Sequence, residues 1–345
     1  MKPDDTTRLL PWSALDDALI ARFADPARDL FASHLWFDTL ARAATPPGLV
    51  AGCAVLGGAG IIPVWCREAG RGLIAVSGQS SPYSLEFAPI ITGDPIRAGR
   101  DFAPIARRAG VFRLDALDDR APALTAFFDG CRRGGLHIRS FAHFGDWSAP
   151  VATDDFARWL AGRPGSLRST ITRKLKRARA ATEFRLFDAD DLETGIAAFE
   201  QVYAKSWKQP EPFPSFNSTC MRALAGAGLL RLGVLADRTG PIAAQYWAVS
   251  GGRAMLLKLA HDEAQTVLSP GTVLTAQMLA VILERDRPML LDFGRGDDPY
   301  KRLWVDQRNE RQGALLINPR HPRGLAALAR GAAGTLRRRL RQGPS

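Results

Sequence analysis

Cysteine is scarce in this chain: four residues in 345, Cys53, Cys66, Cys131 and Cys220, far apart and without a C-x-x-C pair. That spacing speaks against a structural zinc site and against a disulfide framework, and it fits a reducing cytoplasm. The five histidines, His34, His137, His143, His261 and His321, are equally dispersed, so no metal is expected. There is no G-x-S-x-G elbow, no P-loop and no H-E-x-x-H, which removes the serine hydrolases, the P-loop NTPases and the zincins. Lys2, Asp4, Asp5, Arg8, Asp16 and Asp17 interrupt any signal-peptide core, so no export is expected.

Long apolar runs are also few. Gly48 to Cys66 is uncharged over 19 residues, near the length of a membrane span, but it holds five glycines and Pro63. It reads as two strands, LVAGCAVL and IIPVWC, joined by a Gly-Gly-Ala-Gly turn.

What the chain does have is positive charge, and the charge is local. The formal net charge is +11. Six cations without an acid among them lie at Arg168, Arg173, Lys174, Lys176, Arg177 and Arg179, and seven more at Arg320, Arg323, Arg330, Arg337, Arg338, Arg339 and Arg341. With these thirteen set aside, the remainder sums to −2. The body is thus close to neutral, which points to surface-binding elements rather than to a nucleic-acid-coated protein.

Length suggests two domains. From Glu183 a strand EFRLF, a helix over 191–207, a Pro-rich break QPEPFP and a helix over 218–225 lead into three strands, LLRLGVLA, PIAAQYWAVS and AMLLKLAH, separated by turns. Ser269-Pro270-Gly271-Thr272 then opens a helix reaching about Glu284, because proline is favoured where a helix N–H would be unpaired anyway. A strand MLLDF follows. The N-terminal half repeats helix, strand, strand, strand from SHLWFDTLARAA onward, so an internal duplication is expected.

The stretches GPIAAQYWAVSGGRAMLLKLAHDEAQTVLSPGTVL, LLDFGRGDDPYKRLW and NERQGALLINPRHPRG resemble the CelD/BcsL-like acetyltransferase family, relatives of the FemAB-type tandem GNAT proteins. The resemblance covers about 166–324 well and the N-terminal half loosely. It implies an α/β (α+β) tandem GNAT fold, two mixed-sheet units packed side by side: a degenerate copy over 1–160, an acyltransferase domain over 161–320, and a basic amphipathic helix over 321–345. It further implies acyl-CoA as co-substrate, lying in a gap between splayed strands, with its pyrophosphate at Ser269, Pro270, Gly271, Thr272 and Val273. Helix N-termini attract anions, so the placement is physically sound. The Q/R-x-x-G-x-G/A signature is missing before that helix. FemAB relatives use aminoacyl-tRNA instead, and the segment SLRSTITRKLKRARA keeps that donor open as an alternative. A non-catalytic scaffold of a polysaccharide synthesis or export complex is a third reading.

Acyl transfer to an amine requires a base, carbonyl polarisation and a proton for the leaving thiolate. His261, at the end of AMLLKLAH, is a candidate base, and Asp292 could hold the amine or orient the base, or simply cap the following turn. In GNAT enzymes a tyrosine after the MLLDF-type strand commonly protonates the thiolate, which assigns that role to Tyr300. Lys258, Asp262, Arg295, Asp297 and Lys301 are candidate substrate-binding residues, with strand alternation leaving the direction of Lys258 open. The acceptor implied is a small-molecule or lipid-linked amine of an envelope precursor, such as an amino sugar, polysaccharide or amino lipid.

Both basic segments carry apolar stripes at helical spacing: Leu167, Ile171, Leu175 and Ala178 in the first, Leu325, Leu328, Ala332, Leu336 and Leu340 in the second. The first stripe is expected to pack on the protein itself. The second follows the last core strand, where nothing further needs covering, and is expected to lie on an anionic bilayer.

Overall fold

The computed structural model describes residues 6–70 and 72–341, and their side chains save those of Arg179, Thr266 and residues 332–341. The chain divides into two compact units. Unit 1 comprises Met1–Ala24, Phe31–Phe144 and Glu310–Ser345, and unit 2 comprises Asp25–Leu30 and Gly145–Asn309. Two of the cuts fall inside strands, after Phe144 and after Asn309.

Unit 1 runs β1 (Thr7–Pro11), α1 (Asp17–Ile20), α2 (His34–Ala43), β2 (Val50–Leu56), β3 (Gly60–Ala69), β4 (Gly72–Gly78), β5 (Ile90–Ile91), α3 (Pro95–Arg107), β6 (Val111–Leu117), α4 (Pro122–Arg133) and the start of β7 (His137–Pro150). The uncharged stretch forms the expected hairpin, β2 pairing antiparallel with β3 from Val50↔Cys66 to Val55↔Ile61. No helix among the described residues is long and apolar enough to cross a membrane.

Unit 2 takes the end of β7 and continues with α5 (Phe156–Ala161), α6 (Gly165–Arg179), β8 (Glu183–Phe187), α7 (Leu192–Ala204), α8 (Phe216–Gly226), β9 (Leu230–Asp237), β10 (Gly240–Ser250), β11 (Arg253–His261), α9 (Pro270–Asp286), β12 (Leu290–Arg295) and α10 (Pro299–Trp304). β13 (Gln307–Ile317) then returns to unit 1, and α11 (Pro322–Arg341) follows it. The sheet order in unit 1 is β1-β2-β3-β4-β6-β13-β7, and in unit 2 it is β7-β12-β11-β10-β9-β8. Each unit therefore holds a mixed sheet with an antiparallel meander, and in each one parallel pair follows the meander: β4 with β6, and β11 with β12.

The core of unit 2 is built on one face of its sheet by Trp247, Phe293 and Trp304 with Val273, Leu274 and Ile282 of α9. Trp247 and Phe293 meet edge to face at 5.4 Å, and Phe293 stacks on Trp304 at 6.1 Å. Each such ring contributes on the order of 2–3 kcal/mol through burial alone. The first basic segment forms α6, and Leu167, Ile171 and Ala178 are buried in this same core, as expected for its stripe. Arg168, Arg173, Lys176 and Arg177 stay exposed.

The second basic segment departs from expectation. Its inward residues are the small ones, Gly324 and Ala327, while Leu325 is 55% exposed and Leu328 half-buried. A Cβ on Gly324 would stand 1.9 Å from the carbonyl oxygen of Asn318, so α11 approaches the end of β13 too closely for a larger side chain. The helix therefore does cover the unit 1 sheet, contrary to the reading that nothing there needed covering. The stripe positions Ala332, Leu336 and Leu340, and Arg337, Arg338, Arg339 and Arg341, lie outside the described side chains.

Candidate active site

The two parallel pairs separate almost at once, and what fills each opening distinguishes the units. In unit 1, β4 and β6 pair only at Ser77↔Arg113. Beyond that point the loop after β4 turns back and inserts Phe87, 2% exposed, into the opening. The fit is tight: a Cβ on Gly78 would lie 2.8 Å from the Phe87 ring and 3.0 Å from Leu114. The Phe87 N–H donates to the Ala116 carbonyl at 2.9 Å, and Ala116 itself holds a left-handed φ of 59°. A non-glycine residue in that region costs roughly 1–2 kcal/mol, so β6 is bent where it receives the plug.

In unit 2, β11 and β12 pair from Arg253↔Leu290 to Met255↔Asp292 and then diverge. The register of β11 against β10 jumps between Leu256↔Trp247 and Lys258↔Tyr246, leaving Leu257 as the extra residue of a bulge. A bulge re-aims the strand, and the edge of β11 past Met255 presents backbone groups that β12 does not take.

The opening ends at the start of α9. Ser269 caps this helix in a left-handed conformation, φ 53°, without a side-chain hydrogen bond, while its carbonyl accepts from the N–H groups of Thr272 and Val273 at 3.0 and 3.1 Å. Pro270, Gly271 and Val273 are buried. The Gly271 N–H finds no acceptor among the described residues. A phosphate here would meet fewer free donors than at a plain helix start. Lys174 of α6 adds a cation close by, donating its Nζ hydrogen to the carbonyl of Val267.

Two of the three expected catalytic residues converge on Gly271. The Tyr300 hydroxyl donates toward Thr275 Oγ1 at 2.8 Å and the Gly271 carbonyl at 3.3 Å, and burial keeps the phenol protonated well above its usual pKa. His261 lies with its Cδ2 3.1 Å from where a Gly271 Cβ would stand, its ring against Trp207 at 4.4 Å between centroids.

Asp292 does not join them. It is 2% exposed, level with Met255, about 20 Å of strand from His261. Its carboxylate pairs with Arg253 at 3.0 Å and accepts the Gly294 N–H at 2.7 Å, so it braces the irregularity inside β12, where the register against β7 shifts between Asp292 and Arg295. Burial pushes its pKa up, and Arg253 opposes that shift.

The candidate substrate residues divide likewise. Asp262 accepts the Ala264 N–H at 2.9 Å and so fixes a local turn, whereas Asp297 accepts from Arg308 of β13 at 2.7 Å and Trp147 of β7 at 3.0 Å and so ties the loop after β12 to those two strands. The Arg308 and Trp147 hydrogen bonds hold Asp297 down at about 2. Arg295 is exposed, and its carbonyl accepts from Lys301 Nζ at 2.6 Å. Burial is the main reason that Lys301 falls from 10.5 to about 8. Lys258 turns inward, donating to Glu211 at 2.6 Å.

Sequence reasoning passed over Glu211. It sits in the QPEPFP break, and its Oε1 accepts from both Lys258 and the hydroxyl of Tyr203, the latter at 2.5 Å. Lys208 from the same loop has its pKa lowered by burial first and by Lys258 second. One signal was available: three ionisable or aromatic side chains, Trp207, Lys208 and Glu211, packed within a loop stiffened by prolines.

Residues 165–302 match the family model of an acetyltransferase (GNAT) domain. The whole chain is similar to the crystal structure of FemX at 12% identity and a TM-score of 0.58, covering 86% of this chain and 94% of that one. The chain shares the FemX fold and carries a GNAT domain over residues 165–302. A conserved protein of unknown function from Bacteroides thetaiotaomicron VPI-5482 is similar to it to the same degree, with 12% identity, a TM-score of 0.55 and coverage of 87% and 96%. No curated protein matches the chain in sequence. In GNAT terms the order β8-α7-α8-β9-β10-β11-α9-β12 is the acyltransferase core, and unit 1 repeats its meander and parallel pair with the opening closed by Phe87.

Proposed function

We propose that unit 2 transfers an acyl group from acyl-CoA to a primary amine, the acceptor being an amine of an envelope precursor as the CelD/BcsL-like resemblance implies. The supporting observation is the divergence of β11 from β12 beyond Met255, together with Tyr300 held against the first turn of α9. The pantetheine amides would lie along the free edge of β11, as an extended ligand adds to a strand. The phosphates would reach Gly271 and Lys174.

In the reaction the amine nitrogen attacks the thioester carbonyl, the C–N bond forms and the C–S bond breaks. Glu211, beside Lys258 at the β11 bulge, takes the amine proton directly or through water. Tyr300 gives its proton to the departing thiolate and recovers one from solvent. His261 and Trp207 line the phosphate end, and Asp292 is structural.

A second donor is favoured by one observation, the exposed cations of α6: an aminoacyl-tRNA would engage Arg168, Arg173, Lys176 and Arg177. Isothermal titration of the full chain with acetyl-CoA, and separately with charged tRNA, tests both. Saturable binding of acetyl-CoA at low micromolar to millimolar concentration is expected. Binding of tRNA alone would replace the acyl-CoA reading, and binding of neither would leave a scaffold.

A further inference from the structure

Unit 1 carries a groove remote in sequence from this chemistry. It is a cavity of about 680 Å³ between the sheet and α11. Four arginines from three different elements reach it: Arg67 of β3, Arg139 of β7, and Arg323 and Arg330 of α11. No aspartate or glutamate lines it, and none of the four makes an ion pair among the described residues. Its floor is apolar, formed by Val76, Val111, Leu315 and Ala327.

The fold brings these charges together against their mutual repulsion. Arg323 and Arg330 lie two helical turns apart and so share a face of α11, with Ala326 and Ala327 between them. Arg139 enters beneath the helix where Gly331 leaves room: a Cβ at that position would stand 2.2 Å from an Arg139 guanidinium nitrogen. Converging guanidinium groups without carboxylates are suited to a phosphate, which they bind in bidentate fashion. A free phosphate, however, has no use for an apolar floor of this size.

We propose that this groove binds the headgroup of an anionic phospholipid, the phosphate among Arg67, Arg139, Arg323 and Arg330 and the start of an acyl chain on Val76, Val111 and Leu315. The site is independent of acyl transfer in unit 2.

The test is titration calorimetry of the full chain with dihexanoyl phosphatidylglycerol below its micelle concentration. One saturable site per chain is expected. Arg67→Gln combined with Arg139→Gln, both off α11, should weaken it about tenfold or more, and Ala326→Trp, which fills the mouth without altering charge, should weaken it as much. Melting curves should be unchanged. If the double variant fails to fold, the substitution at the exposed Ala326 decides alone. Equal affinity for glycerol phosphate or inorganic phosphate would overturn the lipid assignment in favour of a soluble phosphate. Absence of lipid binding, or binding that Ala326→Trp leaves intact, would overturn the site.

Discussion

The hydroxyl of Tyr300 lies 2.8 Å from Oγ1 of Thr275, whose own hydroxyl reaches Gln245 Oε1 at 3.3 Å, so a side chain from α10 is tied through α9 to β10. Removing that hydroxyl separates its two roles. Tyr300→Phe should lower kcat by about a hundredfold with KM for the acyl donor little changed, because leaving-group protonation is made only in the transition state. The lost hydrogen bond should cost about 1 kcal/mol in stability, read by denaturant unfolding. Unaltered turnover would remove Tyr300 from the chemistry.

Glu211 and His261 should separate in kinetics. Glu211→Gln should reduce kcat by about a hundredfold with KM for the acyl donor little changed. His261→Asn should chiefly raise KM for the acyl donor. The reverse pattern in steady-state assays would return the base role to His261.

Lys301 gives a pH dependence whose sign follows from its burial. The folded chain releases this proton near pH 8 and the unfolded chain near 10.5. Between those values the unfolded state binds more protons, so this group makes stability rise with pH, and its destabilising effect is fully present below 8. The wild type should gain stability from pH 7.5 to 10 relative to Lys301→Met. Parallel unfolding curves across that range would contradict the shift.

Phe87 closes the opening of unit 1, which sets a stoichiometry. Acetyl-CoA should bind once per chain, and calorimetry showing two sites would refute the plug. Phe87→Ala should lose about 3–5 kcal/mol of unit 1 stability by leaving a cavity.

Elements with strong local signals were legible from the sequence: the Val50–Leu56 and Gly60–Ala69 hairpin, the Pro270 helix start and the meander all appear where periodicity and turn residues placed them. What was not legible depended on partners distant in the chain. Asp292 looked like a strand-end catalytic group because nothing near it in sequence announces Arg253, 39 residues away, as its partner. Glu211 looked like part of a helix break, since Lys258 is 47 residues on. Helical spacing in α11 singled out the leucines, but the sheet selected Gly324 and Ala327, because close approach to Asn318 leaves no volume for anything larger.

The return of β13 to unit 1 has a consequence for biosynthesis. In that unit's sheet β13 lies between β6 and β7, yet it leaves the ribosome only after every residue of unit 2. Unit 2 can therefore close its core without β13's pairing in unit 1, while β6 and β7 wait with unpaired inner edges for a strand made about 190 and about 160 residues after them, respectively. The half that emerges first is completed last, and a chain ending before Glu310 would hold every residue of unit 2 while leaving the unit 1 sheet open, the form on which a holdase chaperone would act.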